Sequence, residues 1–315
     1  MTHVIDQEDG ERFTAINGDC VEVVGGLPDS SVGFSVYSPP FAHLFIYSDS
    51  ERDMGNVRSE PEFFEQYGFL CREMYRVTKP GRLTAVHCSD LPRTKTMHGE
   101  IGLYDMPGDI IRAHEDAGWT YHSRITVWKD PVVEMQRTKA LGLLYKQLQK
   151  DATRSRQGMA DYVLVFRKTP ADEKLCDPVG QDARKFPVDQ WQRWASSVWM
   201  DIDQTDVLNV RAAREADDER HLCPLQLGLI SRAIRLWSNE NDTVLSPFMG
   251  IGSEGYEAIK AKRRFIGVEL KPSYFTTGVK NLRFAEDQGY DIFDTEGAVD
   301  QLIADPLPAD LEAAE

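Results

Sequence analysis

Apolar residues recur along this chain with two different periods, and the switches between them divide it into elements. Short runs rich in β-branched and aromatic residues predict strands at 13–17, 32–37, 82–88, 125–128, 161–166, 243–245 and 264–270. Apolar positions three and four apart predict helices over 20–27, 61–77, 105–118, 141–150, 224–237 and 253–261, with another starting at Pro272. The punctuation agrees. Asp19 stands where an N-cap belongs, Lys79-Pro80-Gly81 stops the helix before it, and Pro224 opens the next long one. Strands alternating with helices predict an α/β fold around a mostly parallel sheet. Residues 42–56 are too aromatic and too broken for a helix and read as a loop over the end of the 32–37 strand.

Two segments lose the pattern. Residues 170–218, rich in Asp, Arg, Gln and Trp, read as a loop-rich insertion rather than a core layer, with Trp191, Trp194 and Trp199 forming a small satellite core. Residues 301–315, alternating Ala and acid around Pro306 and Pro308, read as a flexible acidic tail, which leaves 1–300 as one domain.

Composition narrows the class. Hydrophobic residues make up 41% and charged residues 28%, as in soluble globular proteins. No stretch approaches the roughly 20 apolar residues of a membrane span. The amino terminus has neither a basic region nor an apolar core, so a cytoplasmic location is expected. The five cysteines show no metal-ligand spacing, so reduced thiols and no metal are expected.

A net charge of −15 argues against a nucleic-acid partner, but its distribution softens the objection. Every charged residue after Arg283 is acidic, whereas Arg137, Lys139, Lys146, Lys150, Arg154 and Arg156 cluster with only Asp151 among them. A local basic face can hold phosphates on an acidic molecule, or can simply be solvated.

Candidate chemistry lies at the ends of two strands. Ser38-Pro39-Pro40-Phe41 follows the 32–37 strand, and its two prolines end that strand as a rigid ledge with a hydroxyl, unpaired carbonyls and an aromatic ring. In an open α/β sheet, ligands sit at that end. Gly250-Ile251-Gly252-Ser253-Glu254-Gly255 matches G-x-G-x-x-G between a strand and a helix, and Glu269 closes the next strand. This fits an adenosine-containing cofactor whose ribose hydroxyls the acid accepts, and leaves NAD and S-adenosylmethionine both open. Ser246-Pro247-Phe248 before the glycines, and the second ledge, are features a dehydrogenase does not need.

Taken together, Ser38-Pro39-Pro40-Phe41 and Phe248-Met249-Gly250-Ile251-Gly252 resemble the (D/S/N)-P-P-(Y/F/W) and F-x-G-x-G signatures of the amino DNA methyltransferases. The catalytic signature comes first, as in the circularly permuted β class. The resemblance implies a Rossmann-like S-adenosylmethionine-dependent methyltransferase fold, a mostly parallel sheet with helices on both faces, in permuted motif order.

It also implies roles. Ser38 and the Pro39 carbonyl would accept the two N–H bonds of a flipped base's exocyclic amine, with Pro40 shaping the ledge and Phe41 stacking on the base. Asp19 and Cys20 would contact the cofactor's adenine, and His221, Pro224, Ser246, Pro247, Phe248, Gly250, Gly252 and Glu269 would complete the cofactor site. Lys139, Lys146, Lys150, Arg154 and Arg156 would hold DNA phosphates, and part of 170–218 would read base edges. Serine in first position points to cytosine N4, with adenine N6 as the alternative.

Two departures stand out. Ser246 replaces the usual acid, so Asp19 or Glu254 is left to meet the cofactor's ammonium, and Ser253-Glu254 replaces the usual pair of hydroxyl residues. An NAD-dependent oxidoreductase and a non-catalytic DNA-binding protein of the same fold are the rival readings. A homodimer and a restriction partner are left open.

Overall fold

The computed structural model describes residues 4–40, 53–57, 59–93, 99, 102–138, 141–155, 157–183, 186–208 and 224–288. Phe41, Lys139, Arg156, His221 and the 301–315 tail lie outside the described residues. In chain order the elements are β1 (Val4–Asp9), β2 (Phe13–Gly18), α1 (Cys20–Gly25), β3 (Val32–Tyr37), α2 (Glu60–Val77), β4 (Thr78–Ser89), β5 (Leu91–Arg93), β6 (Gly102–Tyr104), α3 (Met106–Asp116) and β7 (Thr120–Val127). They continue with α4 (Pro131–Thr138), α5 (Tyr145–Lys150), β8 (Asp161–Arg167), α6 (Val188–Trp194), β9 (Val198–Trp199), α7 (Leu227–Trp237), β10 (Thr243–Ser246), α8 (Ser253–Lys260), β11 (Arg264–Glu269) and α9 (Pro272–Asp287).

One large sheet runs β1-β2-β11-β10-β3-β4-β8-β7-β9, and β5 and β6 form a separate hairpin. From β2 through β4 every neighbour pair is parallel, which is why these strands are apolar on both sides and read as near-continuous hydrophobic runs. The centre, β3, is buried at all of its positions. Strand β8 inserts antiparallel between β4 and β7.

Strand alternation splits the core in two. Phe34, Val36, Val244 and Phe265 pack with α7, α8 and α9 on one face, through Leu229, Ile230, Ala258, Phe275 and Leu282. Tyr37, Val86, Leu245 and Val268 pack with α1, α2 and α3 on the other, through Val24, Tyr67, Leu70, Met74 and Ile110. Helices therefore cover both faces. After β10 the chain crosses to β11 through α8, and after β3 it crosses to β4 through α2, so adjacent strands send their connections to opposite faces. The carboxyl ends of β10 and β3 thus flank a topological switch point, where such sheets bind ligands.

Three expectations are corrected. Lys79-Pro80-Gly81 does stop α2, whose last turn is closed by Thr78 donating its hydroxyl to the Met74 carbonyl at 2.7 Å, but these residues already belong to β4. Gly81 permits this with a φ of +78°. The 141–150 helix shortens to α5, preceded by a 3-10 turn at Leu141–Leu143. The 170–218 segment is also not wholly peripheral, because Val198–Trp199 pairs with β7 at the sheet edge. Trp199 is fully buried in the main core, stacked on Trp237 with centroids 6.5 Å apart, rather than in a satellite. The Arg232 guanidinium lies over both Trp199 and Trp194, and Trp191 is exposed.

Among the described residues no helix is long and apolar enough to cross a membrane, and no cluster of His, Cys, Asp and Glu is arranged to hold a metal.

Candidate active site

The ends of β2, β3, β10 and β11 open into one cavity. Its wall takes Ser38, Pro39 and Pro40 from the β3 end, Asp19 and Cys20 from the β2 end, and Pro247, Phe248 and Gly250 from the loop after β10. Glu269 closes it from β11, and Pro224 with Leu225 from the approach to α7. Two motifs some two hundred residues apart in sequence therefore face one space.

The glycine loop is built for close approach. Gly250 has a φ of +53°, and a Cβ there would meet nothing within 4 Å, so its bare Cα faces open space. Gly252, with a φ of +87°, does not line the cavity. It is the N-cap of α8, and a Cβ would sit 3.2 Å from the Gly278 carbonyl oxygen of α9. Gly252 therefore packs α8 against α9, while Gly250 faces the cavity.

Glu269 holds this loop to the sheet. Its carboxylate accepts the Gly250 N–H and the Lys271 N–H, each at 2.8 Å. Burial pushes the carboxyl up to about 7, the two N–H donors hold it down in part, and the Asp53 charge raises it again. Asn17 is buried and donates to the carbonyls of Glu269 and Leu270 at 2.7 and 3.0 Å, which pins the end of β11 to β2. Asp19 caps α1, accepting the Glu22 N–H at 3.0 Å as the sequence predicts, and it also lines the cavity.

Ser246 does not line the cavity. It is fully buried at the end of β10, and its hydroxyl finds no hydrogen-bond partner among the described residues. Two further lining residues, Ser253 and Glu254, stand in the first turn of α8. Ser253 Oγ also has no partner, and Glu254 is buried with its carboxyl pushed up to about 8 by burial and further by the Glu269 charge, its own backbone amide offsetting only part. Glu254, one of the two acids the sequence offers in place of the one missing at 246, thus lines the cavity while Ser246 does not.

At the β3 end, Ser38 Oγ lies 3.2 Å from His87 Nδ1 and 3.2 Å from the His87 carbonyl oxygen. Register explains the meeting: Tyr37 pairs with Val86 across β3 and β4, so the next residues of each strand are neighbours. His87 Nε2 in turn lies 3.3 Å from Asp161 Oδ2, and Asp161 Oδ1 accepts from Lys129 Nζ at 2.5 Å. Sequence reading placed His87 in a strand and saw no more. Its partners come from 74 and 42 residues further on and only the antiparallel insertion of β8 brings them near. Of the predicted phosphate contacts, Lys146, Lys150 and Arg154 are exposed on α5 and the 3-10 turn after it, and none of them lines this cavity.

Comparison with known proteins places the chain. A family model described as DNA methylase matches residues 32–280. The Type II methyltransferase M.BglI of Bacillus subtilis is 33% identical over 321 residues, covering 84% of each chain. The DNA adenine methyltransferase YhdJ of Escherichia coli K12 is 31% identical over 282 residues, covering 87% of this chain and 84% of its own. Among solved structures, the PvuII DNA methyltransferase, cytosine-N4-specific, superposes with a TM-score of 0.62 at 16% identity over 90% of this chain and 94% of its own. TTHA0409 of Thermus thermophilus, solved in complex with S-adenosyl-L-methionine, gives a TM-score of 0.63 at 21% identity over 88% and 94%. The ledge, the glycine loop and the matched span agree: the chain belongs to the DNA methylase family of N6- and N4-amino methyltransferases.

Proposed function

We propose that this protein methylates the N4 amine of cytosine in DNA. Family membership makes it an S-adenosylmethionine-dependent DNA amino-methyltransferase, and the choice of base is the finer reading. The observation that carries the reading is that Ser38-Pro39-Pro40 and the Gly250 loop line one cavity. Residues in it fit the cofactor: a bare Cα at Gly250, a partnerless hydroxyl at Ser253, a buried carboxyl at Glu254 and a half-buried one at Glu269. When bound, S-adenosylmethionine supplies an electrophilic methyl group on sulfur. Glu269 would accept the ribose hydroxyls, Asp19 and Cys20 would flank the adenine, and Pro224, Pro247 and Phe248 would supply apolar wall.

An exocyclic amine is a weak nucleophile because its lone pair is delocalised into the ring. Ser38 Oγ accepting one N–H and the Pro39 carbonyl accepting the other would pull the nitrogen toward a tetrahedral geometry and aim its lone pair. Pro39 and Pro40 fix the backbone that holds both acceptors, so catalysis is chiefly positioning. The base must leave the stack to reach them.

Serine at 38 favours cytosine. A second reading, adenine N6, is favoured by the identity to a relative named as an adenine methyltransferase. Mass spectrometry of nucleosides from DNA incubated with the protein and S-adenosylmethionine tests both. N4-methylcytosine is expected, and N6-methyladenine would overturn the base assignment. The strand order supports a circularly permuted arrangement, since β3 and its ledge precede β10 and its glycine loop in the chain yet neighbour it in the sheet.

DNA would be held by Lys146, Lys150 and Arg154, with part of the 170–218 segment reading base edges. The Arg154–Asp151 pair, at 3.7 Å and exposed, is too weak to withhold Arg154 from a phosphate. Replacing all three with glutamine is expected to flatten the plot of log affinity against log salt by about 0.9 per contact removed. An unchanged slope in a salt titration would move the phosphate contacts elsewhere.

A further inference from the structure

We propose that His87, oriented by Asp161 and Lys129, is the terminal acceptor of the proton that leaves the target amine, reached through the Ser38 hydroxyl. This rests on the reading that Ser38 binds that amine.

The row of side chains follows from the sheet. Ser38 succeeds β3, His87 sits near the end of β4, Asp161 begins β8, and Lys129 lies just beyond β7. Asp161 is two residues from Val163, the partner of His87, so His87 and Asp161 share one face of the sheet. His87 and Asp161 are 9% and 6% exposed, so water has little access to either.

The tautomer follows from charge. Burial pushes the Asp161 carboxyl up, but His87, charged at the acid pH where this carboxyl titrates, and Lys129 outweigh it and hold the group near 2, so it is an anion at neutral pH with Lys129 as its standing cation. An anion 3.3 Å from Nε2 favours the tautomer with hydrogen on Nε2, although the approach is electrostatic rather than a well-aligned hydrogen bond. Nδ1 is then a bare acceptor 3.2 Å from Ser38 Oγ. The His87 carbonyl, also at 3.2 Å, can accept the Ser38 hydrogen bond but cannot take the proton away. Lys129 alone already neutralises Asp161, so the imidazole is not needed to balance that charge.

The step balances. The amine nitrogen uses its lone pair to form the N–CH3 bond as the CH3–S bond breaks, with that bonding pair staying on sulfur. The nitrogen's surplus proton passes to Ser38 Oγ while the Ser38 hydroxyl proton passes to His87 Nδ1. The resulting imidazolium lies against the Asp161 carboxylate until solvent takes the proton. Among the described contacts, the titratable and charged groups facing His87 are Ser38 from β3, Asp161 from β8 and, behind it, Lys129.

The test is a pH series of single-turnover methyl transfer to DNA for the wild type, His87→Asn and Asp161→Asn, with S-adenosylmethionine affinity by calorimetry. Imidazole 15N NMR of the ligand-free protein adds a readout independent of turnover. Asparagine keeps a hydrogen-bond acceptor for Ser38 but cannot store a proton. His87→Asn is expected to lower the plateau on the order of 10²-fold and abolish the acid limb of the wild-type profile, with cofactor affinity unchanged. Asp161→Asn, which removes the anion that stabilises the imidazolium, is expected to move that limb to lower pH. The NMR spectrum is expected to show the neutral His87 ring carrying its hydrogen on Nε2. A His87→Asn profile with the wild-type plateau and limb, or a proton on Nδ1, would overturn the relay while leaving the methyl-transfer reading intact. No methyl transfer by the wild type would overturn both.

Discussion

Replacing Ser38 with alanine is expected to slow single-turnover methyl transfer roughly 10²–10³-fold while leaving S-adenosylmethionine affinity unchanged. The size of the effect decides what the hydroxyl does. Losing a neutral hydrogen bond that binds ground state and transition state alike costs about 0.5–1.5 kcal/mol, at most on the order of tenfold, and raises KM instead of lowering kcat. A larger loss in the chemical step is expected because positive charge builds on the amine only as the new bond forms, and Ser38 Oγ is the acceptor aimed at it. The substitution removes a single oxygen beside a strand whose positions are all buried, and Tyr37 keeps its packing on Phe248 at 5.9 Å, so the scaffold is not perturbed. Rapid-quench measurement with excess enzyme separates this step from product release. A variant that transfers methyl at the wild-type rate would remove Ser38 from the mechanism.

Where local chemistry decides conformation, the chain was legible. The Ser38-Pro39-Pro40 stop, the Asp19 cap and the Gly250 turn each depend on what a few consecutive residues can do, and each stands where its sequence put it. What was not legible depends on register between distant strands. His87 looks like one more residue of an apolar run, and it meets Ser38 only because β3 and β4 are parallel and aligned at Tyr37 and Val86. Trp199 was misread because a two-residue strand carries no periodicity, yet docking beside β7 buries its ring completely. Strand β1 escaped notice for a related reason: most of its positions are exposed at the sheet edge, so nothing in its polar pattern distinguishes it from a loop. Gly252 and Ser246 fit a motif by sequence, but sequence could not tell a glycine that faces a ligand from one that faces Gly278.

Replacing Glu254 with glutamine is expected to weaken S-adenosylmethionine binding roughly 10²–10³-fold, the cost of removing one partner from a buried charge pair. The family's acid before the glycines is Ser246 here, sealed in the core, whereas Glu254 lines the cavity from the first turn of α8. Without ligand this carboxyl is a liability. Its ordinary value is 4.5, and burial, followed by the Glu269 charge, carries it to about 8. Between those values the folded protein binds more protons than the unfolded chain, so Glu254 lowers stability progressively as pH rises from about 4.5 to about 8. The glutamine variant escapes that penalty, so its ligand-free Tm should match the wild type near pH 4.5 and exceed it at pH 8. A cofactor ammonium in the cavity reverses the balance by drawing the carboxyl back into its ionised form. Binding near neutral pH should then release a proton from the wild type, seen as a calorimetric heat that varies with the ionisation enthalpy of the buffer, and the Glu254-derived part of that release should vanish in the variant. Unchanged affinity and unchanged proton release in Glu254→Gln would pass the ammonium to Asp19, the other acid the sequence offers on this wall, and leave the buried carboxyl without a ligand-binding role.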